Sequence, residues 1–450
     1  MATTILDLDD DVIINVFRRL PGRRGSFAHS LVCRHWRRLA YEALVSITFE
    51  QDRRCRILLS LLNFPNLASL TFPDNSLAWT SDPILETVSV YCPNLRELRI
   101  GHQGYGATFG EAGLKAIFRG CPKLELFTFE SLNRSPVVIP SELGQAKNLQ
   151  LLKIGKWENG FWDDSNLESM PETLGNLTKL SELTIASDRL SQLPGVFGPL
   201  GASLSSIRIR SMELSSLPDS MTLLTSLTNL ELECMVLSQL PEAMHSLSAL
   251  TSLTLSCCGT LTHLPETLGS LPRLAHLKLH SCRFLSELPA STTALSSLES
   301  LTISRCASFS ALPKFFGRLK SLRTLHLDVF ESFESLPESM GDMQHLEKFF
   351  VSAPGIKSLP NSFGRLRSLR ELEMEGCLKL WYIPSSFGQL SNLRVLRILQ
   401  CPMLSSLPGT CGQLFGLKEF VVGDCGHFHV PQALSGIVTF ESPFFSLLRI

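Results

Sequence analysis

The sequence predicts an α/β solenoid, a curved parallel sheet of about fifteen short strands preceded by a small helical module. Three observations carry this. An apolar residue followed by Pro recurs every 23 or 24 residues over most of the chain. Inside each period, apolar residues fall at one fixed set of spacings. The segment 1–48 breaks that rhythm and carries apolar residues at helical spacing instead.

The period is marked by Pro140, Pro171, Pro194, Pro218, Pro241, Pro265, Pro289, Pro313, Pro337, Pro360, Pro384, Pro408 and Pro431. After a first interval of 31, all the others are 23 or 24. Within units the same positions return: Leu250, Leu253, Leu255, Cys258 and Leu261, then Leu274, Leu277, Leu279, Cys282 and Leu285. Later come Leu393, Leu396, Ile398, Cys401 and Leu404. Leu-x-Leu alternation turns both side chains of a short strand to one face. One strand cannot bury that face alone, so the units must stack in parallel and share a core. The Leu-Pro pair opens a return segment in which Pro fixes φ and gives up a donor that no ladder needs. A Gly four residues later, as in Gly269, Gly317, Gly364 and Gly388, is expected to permit a tight turn.

This pattern, L-x-x-L-x-L-x-x-C-x-x-L-x-x-L-P, resembles the leucine-rich repeat with Cys at its Asn/Cys position. The Cys lies where the chain leaves the strand and its backbone needs a buried partner. Regular units cover 139–431. Upstream, over 49–138, the pitch lengthens: Cys92-Pro93-Asn94-Leu95-Arg96-Glu97-Leu98-Arg99-Ile100 is echoed 29 residues later by Cys121-Pro122-Lys123-Leu124-Glu125-Leu126-Phe127-Thr128-Phe129. Leu114, Ile117 and Phe118 precede the echo at helical spacing, and Leu67, Leu70 and Phe72 suggest an earlier strand. The longer units are expected to carry true helices, and the shorter ones 3₁₀ or irregular segments. Residues 432–450, with Phe440, Phe444, Phe445, Leu447, Leu448 and Ile450, read as an apolar end cap or as a partner-binding peptide.

In the N-terminal module, Leu8, Val12, Ile13, Val16, Phe17 and Leu20 share a helix face after Asp9, Asp10 and Asp11, acids that suit a helix start. A second helical stretch sets Leu31, Val32, Trp36 and Leu39 against a basic side of Arg34, His35, Arg37 and Arg38. Leu8-Asp9-Asp10-Asp11-Val12-Ile13, Val16-Phe17 and Leu31-Val32-Cys33-Arg34-His35-Trp36 resemble an F-box, departing from its pattern at Asp9, where the family has Pro. The resemblance implies a three-helix module that docks on a Skp-type adaptor, and through it on a cullin, by Leu8, Val12, Ile13, Val16, Phe17, Leu31, Val32 and Trp36. The alternative is that these apolar residues only cap the open end of the solenoid.

Bulk properties narrow the functions. The formal net charge is −1 and the pI about 6.8, which lacks the basic footprint of a nucleic-acid binder. The N-terminus opens with acids rather than a signal-type apolar stretch, and no uninterrupted apolar run of membrane-spanning length occurs. A cytoplasmic or nuclear chain with its thirteen cysteines reduced is therefore expected. The ladder Cys258, Cys282, Cys306, Cys377, Cys401 and Cys425 lacks the paired spacing of zinc sites and reads as core. Cys425-Gly426-His427-Phe428-His429 lacks a second ligand pair. The glycines from Gly101 to Gly113 lack the Lys-Ser/Thr of a phosphate loop. No catalytic motif, metal site or cofactor site is expected.

Binding should then use the concave face, lined by the x residues of the L-x-L strands. Opposite charges often fall on neighbouring strands, as with Arg208 beside Glu231 and Glu373 beside Arg397, and can neutralise one another. The stretch with Lys278, His280, Thr302, Ser304, His326, Asp328 and Phe350 is less self-paired and is the candidate target-binding surface. The insertion 155–170 adds loop aromatics Trp157, Phe161 and Trp162, either interface anchors or filling for the longer unit. Taken with the F-box resemblance, the sequence implies a non-catalytic substrate-recognition subunit of a cullin-RING ubiquitin ligase. The alternative is an intracellular leucine-rich-repeat scaffold, signalling or defence-related.

Overall fold

A computed structural model describes residues 45–48, 66–72, 82–101, 110–130, 138–157 and 166–441. The three-helix module expected over 1–48 lies outside these residues except at its last four positions. The chain divides into two compact units, 1–212 and 213–450.

The described part of the first unit holds seven strands: β1 Ser46–Thr48, β2 Ser69–Phe72, β3 Glu97–Ile100, β4 Leu126–Phe129, β5 Leu151–Ile154, β6 Glu182–Ala186 and β7 Ser206–Ser211. Each pairs in parallel with the next in chain order. Two α-helices occur, α1 Asp82–Tyr91 and α2 Glu111–Gly120. Both fall in the longer units, as the pitch predicts. Ile84, Leu85 and Val88 of α1 and Leu114, Ile117 and Phe118 of α2 are buried, with the Phe118 ring edge-on to Phe127 at 5.3 Å. The Gly-rich stretch ends in this packing, where the Gly110 N–H donates to Asp82 Oδ1 at 2.8 Å.

The described part of the second unit holds ten strands: β8 Asn229–Cys234, β9 Ser252–Ser256, β10 His276–His280, β11 Ser300–Cys306, β12 Thr324–Val329, β13 Lys348–Ser352, β14 Glu371–Glu375, β15 Val395–Leu399, β16 Glu419–Gly423 and β17 Val438–Glu441. All pair in parallel with their chain neighbours. The leucine-rich-repeat solenoid is therefore the fold. Two strands, β1 and β17, exceed the expected fifteen. Each sits at an end of the array, in sequence assigned to the helical module and to the cap.

Core and periphery follow the pattern. Leu253, Leu255, Leu277, Leu279, Leu301 and Ile303 are all buried. Each such side chain contributes about 1.5–3 kcal/mol relative to leaving it in water. Most return segments are 3₁₀ turns opened by the recurrent Pro, whose carbonyl accepts from the N–H three residues on, as in Leu268 to Pro265 at 3.0 Å and Phe387 to Pro384 at 3.0 Å; after Pro194 and Pro241 the turn starts later, at Phe197 and Ala243. The cysteine ladder is core, as expected. From Cys282 onward each thiol donates to a strand carbonyl of the preceding repeat, as in Cys282 to Leu255 at 3.6 Å, Cys401 to Met374 at 3.8 Å and Cys425 to Ile398 at 3.4 Å, whereas the Cys258 thiol donates to Ser256 O at 3.5 Å. That supplies the buried partner the exposed end of the strand needs. Val329 and Ala353 occupy the ladder position in the two units between Cys306 and Cys377.

One expectation is corrected. Gly269, Gly317, Gly364 and Gly388 do not adopt positive φ. A Cβ at any of them would instead collide with a backbone carbonyl of the next repeat, that of Ser291, Ser339, Ser386 and Thr410 respectively. The glycine is needed for close stacking of successive 3₁₀ turns. Positive φ appears elsewhere, immediately before the ladder Cys: Cys257, Ser281, Arg305, Gly376, Gln400 and Asp424 have φ between 52° and 62°. A hydroxyl ladder, not visible in the Leu/Pro rhythm, also joins the back of successive units. Ser339 donates to Lys314 O at 2.8 Å, Ser362 to Glu338 O at 2.5 Å and Thr410 to Ser385 O at 2.7 Å.

Candidate protein interface

The strand register builds the candidate surface. Side chains at alternate positions point away from the leucine core. They form rows across the open face of the second unit. One row runs Lys278, Thr302, His326, Phe350, Glu373 and Arg397 on β10 to β15. The next runs His280, Ser304, Asp328, Ser352 and Glu375 on β10 to β14. The seven residues singled out by sequence therefore lie on one contiguous patch over β10 to β13.

Their contacts are specific. His280 Nδ1 and Ser304 Oγ are 2.8 Å apart. The rings of His326 and Phe350 stack with centroids 4.2 Å apart and planes 12° from parallel. Lys278 is exposed, Thr302, His326, Asp328 and Phe350 are half-buried, and Ser304 is buried. Burial holds the His326 imidazole below its ordinary value, with Lys278 adding and Asp328 opposing. His280 is lowered by burial, then by Arg305 and Lys278, against Asp328. Both histidines are thus held toward the neutral ring, which suits stacking and hydrogen bonding.

At the patch edge the expected Glu373–Arg397 pair forms at 3.5 Å. Arg397 also reaches Glu419 at 2.6 Å, and Lys348 pairs with Glu371 at 2.9 Å. Pairs this exposed contribute about 0–1 kcal/mol each, so they set the surface charge more than the stability. A pocket of about 190 Å³ lies beside the ring pair, walled by His326, Lys348, Phe350, Glu371, Glu373 and Arg397.

Glu373, read from the sequence only as the partner of Arg397, and Glu375, not singled out there, also belong to this surface. Their signal was the unbroken register of the x positions. Trp157 follows β5 and is half-buried, whereas Phe161 and Trp162 lie outside the described residues. The adaptor set Leu8, Val12, Ile13, Val16, Phe17, Leu31, Val32 and Trp36 also lies outside them. Among the described residues, no His/Cys/Asp/Glu group is arranged to hold a metal ion, and no helix is long and apolar enough to cross a membrane.

Comparison with known proteins adds two family matches. An F-box domain model matches residues 5–42. A model of disease resistance protein RPS4B-like leucine-rich repeats matches residues 318–411. No curated protein matches the chain. Among solved structures, a leucine-rich-repeat protein of Leptospira interrogans is similar with a TM-score of 0.55 and 22% identity, over 88% of this chain and 99% of that one. The Toll–Spätzle complex of Drosophila gives a TM-score of 0.65 at 19% identity, over 86% of this chain and 50% of that one. At these identities the likeness is one of fold.

Proposed function

We propose, from the premise that this chain is an F-box protein with leucine-rich repeats, that it is the substrate-recognition subunit of an SCF-type cullin-RING ubiquitin ligase. The F-box, with Leu8, Val12, Ile13, Val16, Phe17, Leu31, Val32 and Trp36 as its contact residues, docks on the Skp-type adaptor and through it on the cullin. The repeats hold a target protein on the open face of β10 to β14. The chain acts in the cytoplasm or nucleus, and the ubiquitin chemistry takes place on other subunits. The observation that carries this reading is the order of modules, an F-box match at 5–42 ahead of a repeat array with a polar, partly aromatic face.

The test is co-elution of the purified chain with a Skp-type adaptor in size-exclusion chromatography. The Phe17→Ala, Trp36→Ala double variant should lose the complex while keeping the circular dichroism of the repeats. A complex that survives both substitutions overturns the reading.

A second reading draws on the match of residues 318–411 to disease-resistance repeats. The repeats would then serve a defence-related scaffold without ligase links. Native complexes purified without cullin would favour it.

A further inference from the structure

We infer that the open face of β12, β13 and β14 takes a basic side chain of the target, lysine or arginine, seated over Ser352 between Asp328 and Glu375. This rests on the reading that this face holds a target, and specifies what the face selects.

The register places Asp328, Ser352 and Glu375 side by side on three successive strands. Their backbones step by about 4.8 Å, so the two carboxylates flank a gap about 10 Å wide whose floor is a short serine side chain. The parallel row places the stacked His326 and Phe350 rings next to that gap, with Glu373 beyond. A long basic side chain has the matching form, an apolar stem with a charged tip. Its stem covers the half-buried rings while its tip reaches the carboxylates.

The charges of the face favour this occupant. On the Glu375 side of the gap, Arg397 is already engaged with Glu373 and Glu419, and Lys348 further along β13 with Glu371, while Lys278 and Arg305 lie on the other side of Asp328, beside His280. Among the described residues, no ion pair reaches Asp328 or Glu375. Burial, then Glu373, then Asp328 push the Glu375 carboxyl above its ordinary range. Like charges crowd Glu375, and no cation acts on it to offset them. An anionic group would add to the repulsion, and an apolar one would desolvate carboxylates with nothing in return. A cation relieves both, through charge-assisted hydrogen bonds.

The experiment uses the full chain in complex with its adaptor, or alone if no such complex forms. The probes are three fluorescently labelled dodecapeptides on one Gly/Ser scaffold, with Arg-Trp-Arg, citrulline-Trp-citrulline or Glu-Trp-Glu at the centre. The arginine peptide should bind at least tenfold tighter than the other two by fluorescence anisotropy. The Asp328→Asn, Glu375→Gln double variant should remove that preference, and Phe350→Ala should weaken binding severalfold while Phe350→Tyr keeps it. Glu331→Gln and Glu287→Gln, acids off this face, should change nothing. Equal or absent binding of the three peptides overturns the inference. So does a preference that survives the double variant while the melting temperature shows every variant folded. Failure of adaptor co-elution with the peptide result intact would sink the ligase reading alone.

Discussion

Gly364 packs against the backbone of Ser386 in the next repeat so closely that a Cβ on Gly364 would overlap the Ser386 carbonyl oxygen. The same relation recurs at Gly269, Gly317 and Gly388. It sets how tightly the back of the array can stack while the sheet keeps its strand spacing on the front. Gly364→Ala should therefore destabilise the protein by about 1–3 kcal/mol, the cost of overpacking. Gly409, in an equivalent 3₁₀ turn, has no atom near a prospective Cβ, and Gly409→Ala should be neutral or slightly stabilising. Urea midpoints of the two variants provide the check; equal effects would refute this account of the glycine.

The left-handed residue before each ladder Cys gives a second test. Gly376 fills it at φ 62° without strain, while Arg305 fills it at φ 56°, at the bulge between β11 and β12. A non-glycine residue in this region costs roughly 1–2 kcal/mol. Arg305→Gly should accordingly raise stability by up to about 1 kcal/mol, once the added entropy of the unfolded glycine is counted. Gly376→Ala should lower stability by a similar amount. Thermal unfolding of both variants measures it, and shifts of the same sign in the two would contradict it.

The buried thiols make stability fall at alkaline pH. Burial pushes the Cys92 and Cys411 thiols from 9.0 up to about 12. A raised value means the folded state keeps a proton the unfolded chain releases. The contribution is whole below pH 9 and is lost as pH rises from about 9 toward 12. The urea midpoint should drop between pH 8 and pH 10.5. Cys411→Ala should lower the midpoint at both values but shrink the drop between them. An unchanged drop would mean the thiol is not the source.

The two histidines of the open face act at the acid end. Burial is the main reason His280 and His326 are held below 6.5. A lowered histidine value means the unfolded chain binds the proton first. Stability is therefore present above about pH 6.5 and declines as pH falls below it. His326→Phe keeps a ring to stack on Phe350 and should soften that decline. Denaturation midpoints at pH 7.5, 6.0 and 5.0 for both proteins decide it; parallel curves would remove His326 from the explanation.

Much of this was legible in the chain itself. The Leu/Pro period dictates the stacking because apolar residues at strand spacing have nowhere to go except against the next copy of themselves. The same period separates longer units with α-helices from shorter ones with 3₁₀ turns, since residue count limits the return path. It also places Lys278, His280, Thr302, Ser304, His326, Asp328 and Phe350 on one face, because register in a parallel stack repeats from strand to strand. Other features needed the third dimension. Gly364 looks like a turn residue until the Ser386 carbonyl is seen above it. Arg305 shows no sign of its left-handed backbone. The end strands at Ser46–Thr48 and Val438–Glu441 pair with one strand each among the described residues and have too little pattern to announce themselves. The ring stack of His326 on Phe350 and the crowding of Glu375 by Asp328 join residues about two dozen positions or more apart. Periodicity decides which residues share a row; how closely their side chains meet is decided by the packing of one repeat on the next.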